Sequence, residues 1–187
     1  MMKWTSMSDN NTRYSISFIH LSMKTHPTQT SINSNTRQQL RMSYNIAYDT
    51  ARAPPRGAAL VAFMEDFYRT SDTESLHEKY VQSFTEDATL IMGPKEAKGA
   101  SEILPLRHGL WAHVASRKHT PTRIFFGGEN EIMLYGGVNY RLKADPEKDV
   151  YVPWAGRIVF APEQAGQGVK MQFYQVYLDP SAQSGKK

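Results

Sequence analysis

The sequence contains no cysteine. Disulfide bonds, thiolate nucleophiles and thiolate metal sites are therefore excluded, and the absence fits an intracellular protein. Long apolar runs are missing as well, because the longest one, residues 58–64, is far shorter than the ~20 residues that a membrane-spanning helix needs. The hydrophobic fraction of 40% is nevertheless enough to build a core. We therefore expect a globular domain with no membrane partner.

Net charge is missing from most of the chain. Residues 1–41 hold five Lys or Arg and one acidic residue, whereas residues 42–187 hold 17 basic and 17 acidic residues. A nucleic-acid-binding domain usually carries its basic face on the folded part. The charge distribution therefore predicts no nucleic-acid partner.

The first segment of the chain has no sustained apolar period and is rich in Ser, Thr, Asn and Gln. Such a composition buries too little apolar surface to offset the entropy of ordering. We predict a disordered extension at residues 1–50, a domain at residues 51–182 and a disordered tail at residues 183–187. The favoured interpretation is an upstream extension before a start at Met42, with a cytoplasmic location. The shortage of acids is also typical of organellar transit peptides, which is the alternative.

Three helices are predicted in the first half of the domain. The first follows Pro54 and Pro55, because proline is tolerated in a first helical turn. The capping-box pattern SDTE, residues 71–74, predicts the start of the second helix. The third helix is predicted at residues 101–116. The apolar stripe of the first helix has the spacing i, i+3, i+4, i+7 and consists of Leu60, Phe63, Met64 and Phe67.

A two-residue period replaces the helical one after Arg117. Four long strands separated by Gly-, Pro- and Asp-containing turns are predicted there, and one short strand at residues 87–92 precedes the third helix. The order ααβαββββ indicates an α+β domain, with three N-terminal helices packed on a curved, mainly antiparallel sheet. Gly136, Gly137 and Gly156 lie inside strands and predict the bends that curl such a sheet.

This order, together with FMEDFYRTSD…LHEKYVQSFTEDATLIM…KGASEI, resembles the nuclear transport factor 2-like superfamily. Within it the chain is similar to the SnoaL-like branch, which includes polyketide cyclases, ketosteroid isomerase and scytalone dehydratase. The ending MLYGGVNYRLK…WAGRIVF…KMQFYQVYLD resembles uncharacterised fungal members of that branch. The resemblance implies a cone-shaped fold with a pocket between helices and sheet, a small apolar ligand and a homodimer formed through the outer sheet face. We expect no metal and no organic cofactor.

The resemblance also locates possible catalytic positions. Ketosteroid-isomerase-like members use a carboxylate base, a tyrosine on the first helix and a protonated acid, which correspond here to Met92, Phe67 and Gly156. None of these side chains supports that chemistry, so we do not expect it. Scytalone-dehydratase-like members use pocket histidines, and the motif RKHT places His119 at one of them. The alternative for His119 is a half-exposed residue at the rim of the domain.

Strand alternation leaves two registers open, because a slip of one residue exchanges the two faces of a strand. The preferred register turns inward Leu134, Gly136, Val138, Tyr140, Trp154, Gly156, Ile158, Gln172, Tyr174, Val176 and Leu178. The slipped register would instead turn inward Tyr135, Asn139, Arg157, Gln175 and Tyr177. Arg157 is predicted either to face outward to a dimer interface or to pair with an acid such as Glu131, and the alternative is that it anchors a ligand carboxylate.

The preferred register defines the predicted site. Its catalytic candidates are His119, Tyr140 and Tyr174. Its ligand-binding candidates are Phe67, Tyr80, Phe84, Met92, Trp111, Trp154 and Gln172. The other domain histidines are predicted to be surface or boundary residues without metal-ligand spacing; they are His77, His108 and His113.

A mostly aromatic pocket with a few polar groups suits a flat apolar molecule that carries a few oxygens. The sequence therefore predicts a pocket protein for a small apolar metabolite, such as a cyclase, isomerase or dehydratase of secondary metabolism that uses His/Tyr acid–base chemistry. The alternative is a non-catalytic ligand-binding or dimeric interaction module, in which the aromatic side chains simply fill the cone.

Overall fold

The computed structural model describes residues 44–179 and residue 181. Predictions about the rest of the extension and the tail lie outside the described residues. A 3₁₀ helix at Thr50–Arg52 precedes three helices, α1 (Gly57–Ser71), α2 (His77–Gln82) and α3 (Gly99–Gly109). The strands are β1 (Phe84–Met92), β2 (Lys95–Lys98), β3 (Val114–Phe126), β4 (Glu131–Leu142), β5 (Asp145–Phe160) and β6 (Met171–Leu178).

The six strands form one curved sheet in the order β2-β1-β6-β5-β4-β3. Neighbouring strands are antiparallel except for β1 and β6, which are parallel. The three helices pack on this sheet, so the predicted α+β architecture is confirmed. Strand β2, a four-residue edge strand that pairs with β1, is not predicted from the sequence.

The predicted apolar stripe of α1 lies in the core. Leu60 and Met64 are fully buried and Phe67 is 2% exposed, while Phe63 packs partly buried against them. Burial of one stripe of a helix is what stabilises it in a folded domain, since short isolated helices are marginal in water. None of the helices in residues 44–179 has the length and apolar character that a bilayer crossing requires.

The capping-box prediction for α2 is wrong. Ser71 is the last residue of α1, and α2 begins only at His77, whose preceding residue Leu76 makes no side-chain cap. The Ser71 hydroxyl accepts a hydrogen bond from Arg117 Nη2 at 3.0 Å. The hydroxyl is therefore engaged in tertiary structure rather than in capping the next helix.

The predicted length of α3 is also wrong. The helix ends at Gly109, a residue whose backbone freedom disfavours helix interiors. The chain from Val114 onward pairs with β4, beginning opposite Leu142. Consequently Arg117 and His119 lie within β3, whereas the sequence placed them at a helix end and a strand start.

The predicted boundary at residue 51 is wrong because residues 44–50 belong to the ordered domain. Tyr44 and Ile46 are 7% and 2% exposed. Ala47 forms a parallel bridge with Arg123, and its carbonyl accepts a hydrogen bond from the N–H of Ile124 at 2.9 Å. Two apolar side chains and an edge pairing with β3 thus fix this segment.

The preferred strand register is confirmed for β4 and β5. Leu134, Val138 and Tyr140 are at most 2% exposed, whereas Tyr135 between them is 44% exposed. A Cβ atom at Gly136 would lie 2.3 Å from the carbonyl oxygen of Thr120. The close approach of β3 to β4 at this point therefore requires glycine.

The register prediction for β6 is wrong at its start. Met171 and Tyr174 are both buried, although they lie three positions apart rather than two or four, and Gln172 is exposed. The pairing of β6 shifts between Met171 and Phe173 against both neighbouring strands. This irregularity places Gln172 on the solvent side, so it cannot line a pocket.

The face of the sheet opposite these inward residues is called here the outer face. Arg157 lies on the outer face and pairs with Glu131, as predicted. Its Nε donates to Glu131 Oε1 at 2.6 Å, and both side chains are partly exposed. The outer face also exposes five large apolar side chains, which are Phe125 at 52%, Met133 at 39%, Tyr135 at 44%, Tyr151 at 64% and Tyr177 at 47%.

Candidate functional site

A buried carboxylate and a histidine meet where the end of α1 faces β3. Asp72 follows the last residue of α1, and its side chain is fully buried. Its Oδ1 lies 2.5 Å from His119 Nδ1, and its Oδ2 accepts the backbone N–H of His119 at 2.7 Å. The phenol of Tyr44 donates a further hydrogen bond to Oδ2. Asp72 thus holds both the ring and the backbone of His119.

The environment keeps Asp72 ionised. Burial acts to raise the pKa of this carboxyl, but the His119 ring, the Tyr44 hydroxyl and the His119 N–H outweigh burial and hold the pKa below its usual range. An ionised carboxylate is only an acceptor, so Nδ1 of His119 is the protonated nitrogen. In the neutral ring Nε2 therefore carries the lone pair. Nε2 has no hydrogen-bond partner among the described residues.

Two buried arginines bind the backbone next to this carboxylate. Arg117 Nε and Arg107 Nη1 both donate to the carbonyl oxygen of Ser71, at 3.1 and 3.0 Å. Arg107 also donates to the carbonyls of Thr70 and Thr73 at 3.3 and 3.0 Å. The two guanidinium groups thereby bind the carbonyls at and just after the end of α1, and their charge complements the helix dipole.

The guanidinium groups outnumber the carboxylate within the buried cluster. Arg107 is fully buried and stacks on Tyr80 and Trp111, with its Cζ atom 4.6 and 5.3 Å from the ring centroids. Burial, and then repulsion by Arg117, lower the pKa of Arg107 to about 10. Arg107 therefore remains charged at neutral pH, and the cluster favours negative charge in its vicinity.

Two tyrosine hydroxyls lie behind the histidine. The hydroxyls of Tyr68 and Tyr174 are 3.2 Å apart, and the Tyr68 ring centroid lies 5.2 Å from that of His119. Burial is the largest cause of the raised pKa of both phenols. Each hydroxyl therefore stays protonated at physiological pH and can act as a hydrogen-bond donor.

A cavity of about 20 Å³ lies beside His119, between the helices and the inner face of the sheet. Its volume suffices for roughly one water molecule, whereas pockets for drug-sized ligands measure about 300–1,000 Å³. Aromatic side chains thus fill most of the inner space in this conformation. The lining residues are Phe67, Ser71, Tyr80, Met92, Leu110, Arg117, His119, Val138, Tyr140, Trp154, Tyr174, Val176 and Leu178.

Seven of the ten predicted site residues line this cavity, and three do not. Phe84 is buried against Phe67 and Tyr80, with ring centroids 6.1 and 5.5 Å away. Trp111 packs against the guanidinium of Arg117, in a part of the core outside the cavity. Gln172 is exposed on the irregular start of β6.

Sequence reasoning missed Asp72, Tyr68 and Arg117. The sequence places Asp72 in the predicted capping box, and it predicts Phe67 rather than Tyr68 as the pocket residue of the first helix. No local sequence pattern shows that Asp72 accepts a hydrogen bond from the ring of His119. The two residues are 47 positions apart and meet only through tertiary structure. Both Phe67 and Tyr68 are buried because α1 contacts the core over a broad face.

His77 and His108 form a second histidine contact away from the cavity. Their ring centroids lie 3.9 Å apart, and the buried His77 Nδ1 has no hydrogen-bond partner. His108 and His113 are exposed. Within the part of the chain that the structure describes, no three His, Asp or Glu side chains converge in a way that could hold a metal ion.

Comparison with known proteins gives structural matches alone. No protein-family model matches the sequence, and no curated protein matches it either. A provisionally named SnoaL-like polyketide cyclase from Jannaschia sp. CCS1 is 10% identical, with a TM-score of 0.58 over 72% of this chain and 97% of that one.

Two further solved structures have names that describe reactions. A provisionally named scytalone dehydratase from Novosphingobium aromaticivorans DSM 12444 is 16% identical, with a TM-score of 0.52 over 65% of this chain and 83% of that one. A type 2 hexachlorocyclohexane dehydrochlorinase (LinA) is 18% identical, with a TM-score of 0.52 over 65% and 84%.

Identities this low carry the fold and nothing finer. These matches cover 83%, 84% and 97% of the neighbours' chains. The described part of the chain therefore has the α+β fold of the nuclear transport factor 2-like superfamily.

Proposed function

We propose that this chain is a SnoaL-like pocket enzyme in which His119, held by Asp72, removes a proton from a small, flat, mostly apolar molecule. The observation that supports this proposal is the buried Asp72–His119 pair, which leaves Nε2 as the lone-pair nitrogen of a ring that lines the cavity. A histidine oriented by a carboxylate is a suitable general base near neutral pH. The expected fungal relationship stays a prediction.

The reaction class that fits best is elimination or isomerisation next to a carbonyl group. Nε2 takes the proton from the carbon beside the carbonyl, and the C–H electron pair forms an enolate. In an elimination, the enolate pair forms a C=C bond as the β C–O bond breaks, and the departing hydroxide takes the proton held by Nε2 to become water, which restores the neutral ring. The names of two structural neighbours, a dehydratase and a dehydrochlorinase, describe eliminations and agree with this class.

The surroundings of His119 suit the negative charge that such a reaction develops. Tyr68 and Tyr174 are protonated donors behind the ring, and Arg117 contributes a guanidinium to the cavity lining. The Asp72 carboxylate already accepts hydrogen bonds on both oxygens. Donors aimed at developing oxygen charge are a major source of catalysis in water-poor sites.

A ligand requires a wider cavity than the one observed. Met92 and Leu178 line the cavity, are partly exposed and lie on neighbouring strands near the residue pair Met92–Val176. Methionine adapts readily because its unbranched side chain rotates freely. We propose that these two side chains form the entrance and move when a ligand binds.

The test compares His119→Gln with His113→Gln, because His113 is exposed and far from the proposed chemistry. Small molecules that co-purify with the wild-type protein are identified by mass spectrometry. A panel of cyclic β-hydroxy ketones is then assayed for loss of water. We expect His119→Gln to lower the rate about 10²–10⁴-fold and His113→Gln to leave it unchanged. Equal rates in the two variants would contradict the proposal.

The second candidate function is a dimeric interaction module of the same fold. It is favoured by the small cavity and by the exposed apolar side chains of the outer face. Large exposed apolar patches mark interaction sites more often than chance. We propose a second copy of the chain as the occupant of the outer face.

Sedimentation velocity tests this association. The wild-type chain should sediment as two copies, and Tyr135→Lys should shift it to one copy because the lysine places a charge at the centre of the apolar patch. Ala112→Lys, at an exposed site between α3 and β3, is the matched control. A wild-type protein that stays monomeric at high concentration would exclude the dimer. If the chain is an interaction module, it forms the dimer, and the His119→Gln variant shows no change in any assayed reaction.

A further inference from the structure

The segment before the helices reaches the candidate site. We propose that Tyr44 is a positioning residue of the Asp72–His119 pair, which restrains the carboxylate and limits how much of its charge reaches the His119 ring. This inference rests on the proposed function of His119 as a base. It extends the site to residue 44, which lies in the segment that the sequence predicts to be a disordered extension.

The two carboxylate oxygens of Asp72 accept hydrogen bonds from different donors. Oδ1 serves the ring nitrogen of His119, while Oδ2 is shared between the backbone N–H of His119 and the phenol of Tyr44. Every hydrogen bond to a carboxylate draws on the same negative charge. A donor on Oδ2 therefore weakens the pull of Oδ1 on the ring proton.

Tyr44 is firmly held in place. Its side chain is 7% exposed, and the Lys118 ammonium lies 3.9 Å from its ring centroid. Two residues later, the N–H of Ile46 donates to Glu65 Oε1 of α1 at 3.0 Å. Ala47 then pairs with the edge of β3. The segment is thus attached to both elements that carry the pair, α1 and β3.

The Tyr44 hydroxyl acts as a hydrogen-bond donor at every physiological pH. Burial, and then the charge of Asp72, raise the pKa of Tyr44 far above its usual value. The other charged or titratable groups that act on Asp72 or Tyr44 come from the two helices and from β3. They are Tyr68 and Arg69 of α1, Arg107 of α3, and Arg117, Lys118 and His119 of β3.

The chain offers a matched control within the same segment. Tyr48 is partly buried and packs edge-on against Phe126 at 5.9 Å, and its hydroxyl makes no hydrogen bond to a described residue. Tyr44→Phe and Tyr48→Phe therefore remove the same atom at neighbouring positions. Only the first removes a donor from Asp72.

The experiment records the proton resonance of His119 Nδ1–H in the full-length protein, together with the pH–rate profile once a substrate is available. Tyr44→Phe should move the resonance to lower field, because the ring proton then meets a carboxylate with more charge. It should also move the acid limb of the pH–rate profile upward by roughly half a pH unit. Tyr48→Phe should change neither.

A second replacement guards against misfolding of Tyr44→Phe. A fluorinated tyrosine at position 44 keeps the ring and makes the hydroxyl a stronger donor, so the Nδ1–H resonance should move in the opposite direction. A resonance that stays at its wild-type position in both Tyr44 proteins would overturn the inference. Failure of the proposed function is a different result, since His119→Gln would then keep full turnover while the resonance still responds to Tyr44.

Discussion

The inner cluster around Asp72 and the outer face of the sheet both pair arginine with a carboxylate, but in opposite surroundings. Asp72 is fully buried with Arg117 3.7 Å away, and their neighbours Tyr44 and His119 complete its hydrogen bonds. On the outer face, Arg157 and Glu131 are 40% and 37% exposed and have little else to bind.

The difference decides where charge matters. Breaking a buried pair leaves an uncompensated charge away from water, which typically costs about 3–5 kcal/mol. An exposed pair contributes about 0–1 kcal/mol because water replaces the lost partner. We therefore expect the inner cluster to contribute more to stability, and we propose that the apolar residues of the outer face mediate association.

The largest effect on stability is expected for Asp72→Asn. The substitution keeps the shape of the side chain but leaves Arg107 and Arg117 without a buried counter-charge. We expect the free energy of unfolding to fall by about 3–5 kcal/mol at neutral pH, as measured by urea denaturation. Because the folded-state pKa of Asp72 is lowered, its contribution is complete above the unfolded value and is lost as pH falls through the folded value. The gap between variant and wild type should thus close in acid, and a loss below about 1 kcal/mol at neutral pH would contradict the account.

The next effect compares two arginines directly. Arg107→Met removes three hydrogen bonds from a buried guanidinium group to backbone carbonyls near the end of α1, and a hydrogen bond made by a charged group contributes about 1.5–3 kcal/mol. Arg157→Met removes a half-exposed ion pair, and we expect it to cost about 1 kcal/mol or less. Urea denaturation of both variants checks the order. Equal losses would show that burial does not separate the two regions.

The smallest effect concerns the contact between His77 and His108. Burial, and then the charges of His108 and Arg107, lower the pKa of His77. The unfolded chain therefore takes up this proton first as pH falls, so stability decreases below the unfolded value of about 6.5. We expect a shallower decrease between about pH 7.5 and 5.5 for His108→Gln than for wild type or His113→Gln, in thermal unfolding. Parallel curves for all three proteins would exclude a contribution from the pair.

The sequence predicted the parts of the fold whose residues repeat with a period. The stripe of α1 and the alternation of β4 and β5 were predicted correctly because one face of each element is buried. The end of α3 and the start of β3 were not, since residues 110–117 contain apolar side chains that suit either structure. Gln172 was misplaced because strand alternation cannot foresee an irregular pairing.

The candidate site was predictable only in part. His119 was identified through its resemblance to a family motif, and most of the aromatic lining followed from the correct register. Asp72, Tyr44 and Arg107 were not, because each acts on atoms tens of positions away in the chain. The volume of the cavity depends on how side chains pack together, which a sequence pattern does not contain.

Proton exchange tests the central claim, that the inner cluster holds a working base. The full-length protein is incubated in D₂O with the compound that it retains or converts, and deuterium at the carbon beside the carbonyl is followed by mass spectrometry. We predict exchange at least about 10²-fold faster than in free solution with the wild-type protein, and background exchange with His119→Gln. Exchange at the same rate in both proteins would contradict the assignment of His119 as the base.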